Sequence, residues 1–275
     1  MIAAALLGAA LIAWVAIVQR MSGMDAGPGT HLGGFAWYVG IWVTMMAAMM
    51  LPSAAPMVLV FARVNRERAS KHRRRIVPTW FFASTYLLAW VLYGALAYGA
   101  YELISARDWG LLAWDGGGPY VAGGAVVAAG VYQLTPLKSV CLRHCRSPMH
   151  FVLGGWRDGW TGALRMGLEH GLYCVGCCWG LMLVLWAVGV MSITWMIAIA
   201  ALIMLEKVTP VGEALSRGLA IAFVALGIWI AAAPGSVPAL TEPGSAESSM
   251  GMGMERTADP GMGAPTATDS MDMER

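Results

Sequence analysis

A chain of 275 residues that is 58% hydrophobic and only 12% charged, where soluble domains carry roughly a quarter charged residues, is read as an integral membrane protein. At about 20 apolar residues per spanning helix, that length holds six or seven spans with short loops and excludes a second folded soluble domain. The net charge of +2 points to no partner class, and five cysteines in or beside apolar segments do not make a secreted disulfide framework.

Taken in order, residues 1–18 form an apolar first span ending at Gln19-Arg20. It lacks the basic start of a cleaved signal peptide. A Gly- and Pro-bearing loop follows, then a second span over 35–61 with Met45, Met46, Met49 and Met50 ahead of Pro52 and Pro56. Each proline removes a backbone donor, which predicts a broken or kinked helix. Residues 62–78 carry Arg63, Arg66, Arg68, Lys71, Arg73, Arg74 and Arg75 against Glu67 alone; such a loop faces the cytoplasm. A third span covers 79–104. A fourth, 119–137, is rich enough in Gly and Ala to pack closely on a neighbour. Residues 138–165 are basic again. The fifth span, about 167–190, is followed by a short sixth to about Leu205 and a last span over 215–233.

The expectation is thus an all-α polytopic membrane bundle of about seven transmembrane helices over residues 1–235. The N-terminus is placed in the cytoplasm and the C-terminal tail outside. Fourteen of the 18 cations, all except Arg20, Arg107, Arg256 and Arg275, then fall on the inner side, as the positive-inside bias requires. Residues 236–275 form a polar, acidic tail without apolar periodicity, expected to be disordered. The tail carries six methionines, among them Met250, Met252 and Met254 in alternation. Thioethers favour Cu(I).

The chemistry concentrates on the fifth span, at Glu169-His170-Gly-Leu-Tyr-Cys174-Val-Gly-Cys177-Cys178. At about 100° per residue, Cys177 falls about 20° to one side of His170 and Cys174 about 40° to the other. Cys178 follows at about 80°, and Glu169 at about 100° on the opposite flank. Cysteine is often a small buried hydrophobe, but three of them beside a histidine and a carboxylate in a membrane span point to function. Sulfur with imidazole suits Cu(I) or, as an alternative, zinc; Mg or Ca would want oxygen. A second cluster, Cys141, His144 and Cys145, lies at the cytoplasmic edge of the fourth span, where Arg143 and Arg146 favour thiolate. Its spacing is looser than a zinc ribbon's. Met45 and Met49, one turn apart, are either core filler or a soft-ligand ladder. Covalent haem attachment fails because Cys178 stands where a histidine is needed. Nothing resembles a phosphate loop, a serine nucleophile elbow or a hydrolase carboxylate pair, and the basic loop reads as topogenic, with no nucleic acid as partner.

Trp42 through Met57 (WVTMMAAMMLPSAAPM), Tyr132 through Pro148 (YQLTPLKSVCLRHCRSP), Gly167 through Met182 (GLEHGLYCVGCCWGLM) and Glu206-Lys207 together resemble a bacterial family of predicted metal-binding integral membrane proteins, some described as copper chaperones. The resemblance spans about 35–233. It implies a multi-pass inner-membrane protein that handles copper. The resulting expectation is a non-enzyme that binds, transfers or delivers Cu(I) from a periplasmic donor or to a cuproenzyme acceptor. Two other readings compete: a membrane thiol oxidoreductase using Cys174 and Cys177, and an accessory subunit of a membrane complex whose sulfurs only pack.

Overall fold

A computed structural model describes residues 2–21, 34–71, 76–106, 116–189, 192–209 and 212–237. Met250, Met252 and Met254 lie outside the described residues. Within them the chain is all helical, without strands: α1 (Ile2–Met21), α2 (Phe35–Lys71), α3 (Trp80–Ser105), α4 (Gly118–Tyr132), α5 (Pro136–Arg146), α6 (Pro148–Gly154), α7 (Gly159–Val188), α8 (Ile193–Val208) and α9 (Gly212–Ala232). Five of these helices, α1, α2, α3, α7 and α9, are long and apolar enough to cross a membrane; α4 with α5 makes a sixth if the bent pair counts as one span. At 16 residues, or about 24 Å, α8 falls short of a 30 Å hydrocarbon core.

Two local departures from the sequence reading have clear causes. First, α2 remains one helix of 37 residues through Pro52 and Pro56, about 55 Å long. Its last turns, bearing Arg63, Arg66, Arg68 and Lys71, therefore continue the helix where a loop was expected, and their length carries them past any apolar core. Ser53 Oγ donates to the Met50 carbonyl (3.0 Å) inside the proline segment. Second, the fourth span is not continuous. Pro136 disfavours helical backbone at the residue before it, and Thr135 is extended (φ −73°, ψ 146°). Thr135 then caps α5, its hydroxyl accepting from Lys138 N, and the chain turns by 67°.

The core is built around α7, against which α3, α4, α5 and α8 all pack. Glycine permits the closest approach. A Cβ at Gly171 would stand 2.7 Å from Ala89 Cβ and 2.9 Å from the Tyr86 carbonyl, so only a residue without one lets α3 lie flush on α7. The Gly-rich α4 likewise seats on α9. α2 is fixed to α3 by Trp42 Nε1 donating to the Trp90 carbonyl (2.8 Å) and Tyr38 Oη to the Gly94 carbonyl (3.1 Å). Met45, Met46, Met49 and Met50 are all buried in the same core.

An internal ion pair ties three shorter elements together. Lys138 Nζ of α5 donates to both carboxylate oxygens of Glu206 on α8, at 2.7 and 2.8 Å. Both side chains are 1% exposed. Ser216 Oγ of α9 donates to the same carboxylate (2.9 Å), and Gln133 Oε1 accepts from Lys138. Two of the cations counted as topogenic, Lys138 and Lys207, are thus engaged inside the protein.

Candidate metal centre

Thirty residues make α7 about 45 Å long, half again the thickness of a hydrocarbon core. Its early turns carry Arg165 and the partly exposed Glu169, whose carboxylate pairs with Arg165 (3.0 Å) and with Arg157 (3.9 Å). Cys174 and Cys177 lie five and eight residues further on, about 8 and 12 Å below that polar level. The cysteines therefore lie in the apolar part of α7, close below its polar end.

His170, Cys174, Cys177 and Cys178 are all buried on α7, as the helical spacing predicts. Packing of α5 against α7 adds Cys145, so that the sulfurs of Cys145, Cys174 and Cys177 lie within 4.8 Å of one another. Cys177 Sγ is 3.7 Å from Cys145 Sγ and 3.3 Å from Cys178 Sγ. These are free thiols, far from the 2.05 Å of a disulfide. At a metal–sulfur distance of about 2.3 Å, two ligands of one ion stand about 3.8 Å apart in tetrahedral geometry and about 4.0 Å apart in trigonal geometry. Cys145 and Cys177 already have that spacing, and the cluster could hold a metal ion.

Two polar groups from other helices meet Cys174, and a third holds one of them in place. Lys207 Nζ of α8 lies 3.0 Å from its sulfur and donates to Ser53 Oγ of α2, also at 3.0 Å. Tyr86 Oη of α3 is 3.1 Å from the same sulfur. An ammonium beside the cluster supplies the countercharge that buried thiolates need. Consecutive residues of α8 thereby serve two sites, Glu206 the Lys138 pair and Lys207 the sulfurs.

His170 stacks against Tyr86 and Phe82, with ring centroids 5.5 and 6.0 Å apart. Its Nδ1 is buried without a hydrogen-bond partner among the described residues, and a ligand bond would satisfy it. Cys141, His144 and Glu169 have other neighbours, and Met45 and Met49 share the buried core of the α7 sulfurs. Cys141 packs its sulfur against Gly176, where a Cβ would come within 2.7 Å. His144 stacks flat on Tyr173 (4.2 Å, 3°) while its Nδ1 meets the Val140 carbonyl at 2.9 Å. Glu169 is in the surface ion pairs described above. Met45 and Met49 are core residues of α2.

Spacing along one helix found the α7 sulfurs but missed Lys207 and Tyr86 as their neighbours and Ser53 as the partner of Lys207. The adjacent charges Glu206-Lys207 in a short apolar helix were the available signal, since ionisable groups there need partners.

No curated protein and no solved structure matches this chain. A family described as PpoB2, copper chaperone, matches residues 39–230, a stretch that contains α3 to α8 and every residue of the sulfur cluster, and the chain belongs to that family.

Proposed function

We propose that this protein is a copper chaperone of the bacterial inner membrane, which holds Cu(I) between the sulfurs of Cys145, Cys174 and Cys177, two of them ionised, and passes it to a soft-ligand acceptor. The observation that carries the reading is the convergence of three sulfurs from two helices within 4.8 Å, beside a lysine ammonium. Cu(I) and Lys207 together balance two thiolates, so the loaded site is neutral and can remain buried. A sulfur-only set also matches the softness of Cu(I). Zinc would ask for a fourth donor, from Cys178 or His170.

The N-terminus lies in the cytoplasm in this reading, and the methionines Met250, Met252 and Met254 collect copper outside, from a periplasmic donor or for a cuproenzyme. Met45 and Met49, buried in the same core as the α7 sulfurs, offer it further soft thioether ligands.

The test is metal content by mass spectrometry of the reduced, Cu(I)-loaded protein. Wild type is compared with a Cys174→Ser/Cys177→Ser/Cys178→Ser variant and a chain truncated after residue 240. About one copper per chain that survives truncation and disappears in the serine variant is the expected result. A wild type that takes up no copper, while its thiols cycle on addition of a quinone, refutes the reading in favour of a thiol oxidoreductase.

A further inference from the structure

The sulfurs of the cluster differ in how they can be reached. Cys174, Cys177 and Cys178 are 0%, 1% and 1% exposed, whereas Cys145 is only partly buried. It lies in the last turn of α5, which Ser147 and Pro148 end. Around this elbow the side chains of Arg143, Met149 and His150 are exposed. Cys145 thus touches the buried cluster on one side, 3.7 Å from Cys177, and on the other adjoins an exposed elbow that carries Arg143, Ser147 and His150. Copper changes hands by ligand exchange, which needs an incoming sulfur at bonding distance, about 2.3 Å for metal–thiolate bonds. An acceptor meets that condition at the α5–α6 elbow before it meets it at any α7 sulfur.

We propose that Cys145 is the exchange ligand of the site, the sulfur through which Cu(I) passes between α7 and a partner docked on the α5–α6 elbow. The inference rests on the copper reading above and deepens it. The fitting partner is a domain that offers a pair of thiolates inside an acidic rim, complementary to Arg143 and the neighbouring basic side chains. In the first step an acceptor thiolate binds copper and the bonds to Cys174 and Cys177 break, leaving copper between Cys145 and the acceptor. In the second step the other acceptor thiolate displaces Cys145. Copper remains Cu(I) throughout. Two of the three cluster sulfurs are thiolates in the loaded site, Cys145 and one on α7, and these two take up the protons given up by the two acceptor thiols that replace them, while the third stays a thiol; no oxidant or reductant is needed.

The fold holds the elbow in place from two points. The Lys138–Glu206 pair anchors the start of α5, and Arg146 donates to the Thr209 carbonyl at its end. Cys145 is therefore presented from a fixed helix, set at 67° to α4.

The experiment compares wild type and Cys145→Ser, full length in detergent, each loaded with one equivalent of Cu(I) and mixed with excess bicinchoninate, whose Cu(I) complex is coloured. A sulfur that served only as one more ligand would leave a weaker site and faster release when removed. An exchange ligand gives the opposite: Cys145→Ser holds copper less tightly at equilibrium yet releases it at least about tenfold more slowly, about 1.4 kcal/mol in the barrier. Release as fast as wild type or faster overturns the proposal and leaves the copper reading intact. Absence of copper from the loaded wild type overturns both. Where Cys145→Ser fails to fold, labelling of the wild type with a water-soluble maleimide decides: Cys145 reacts first and copper protects it. Labelling of Cys174 or Cys177 ahead of Cys145 overturns the proposal.

Discussion

Replacing Glu206 by Gln keeps the size of the side chain and removes one charge from a pair that is 1% exposed on both sides. At 2.7 Å and an effective dielectric constant of about 20, the attraction lost is about 6 kcal/mol. The amide still accepts from Lys138 and Ser216, which returns part of it. Removing one member of a buried pair costs about 3–5 kcal/mol in practice, and Glu206→Gln is expected at the low end, about 3 kcal/mol. The assay is reversible unfolding in mixed micelles against increasing sodium dodecyl sulfate, followed by tryptophan fluorescence. Because the pair joins α5 to α8, the same variant should also label faster at Cys145. The double variant Lys138→Met/Glu206→Leu removes both charges and should return to within about 1 kcal/mol of wild type, since well-packed apolar pairs replace buried ion pairs at little cost. A Glu206→Gln protein within about 1 kcal/mol of wild type, or a double variant no better than the single, would show that the pair does not hold the elbow.

Lys207→Met retains the stem of the side chain but withdraws the ammonium 3.0 Å from Cys174; Cu(I) affinity, read by chelator competition, should fall about 10- to 100-fold, the scale typical of groups that support metal ligands. Glu169→Gln, by contrast, breaks only partly exposed pairs, so stability should change by less than about 1 kcal/mol and copper content not at all. Gly171→Ala forces its new methyl against Ala89 and Tyr86 and should cost about 1–3 kcal/mol as overpacking, measured in the same micelle titration; a neutral result would mean that α3 and α7 are not in register as described. Truncation after residue 240 should lower the copper bound at saturation while the tightest site keeps its affinity, as titration of both proteins would reveal.

The sequence by itself determined the all-helical class and which helix carries the candidate sulfurs. Apolar composition and span-length runs leave helices as the way to satisfy a backbone in lipid, and long apolar runs such as 2–21 and 214–232 need no tertiary information to be read. The 3.6-residue period also placed His170, Cys174 and Cys177 on one face of α7, because residues one turn apart on a helix share a face whatever packs against it. Span number was less legible. A 15-residue α4 and a 16-residue α8 carry the composition of spans without the length, and Thr135-Pro136 bends the chain where hydropathy alone runs on.

Only the tertiary structure decided which residues meet. Cys141 and Cys145 are one turn apart and look equivalent in the sequence, yet Cys145 joins the α7 sulfurs while Cys141 packs against Gly176. That choice depends on the rotation of α5 about its axis, which is set by the Lys138–Glu206 pair 68 residues apart in the chain. Lys207 reaches Cys174 across 33 residues and Tyr86 reaches it across 88. Local periodicity fixes a side chain's direction on its own helix; the neighbour it finds there is fixed by the packing of separate helices, to which distant glycines, prolines and buried charges all contribute.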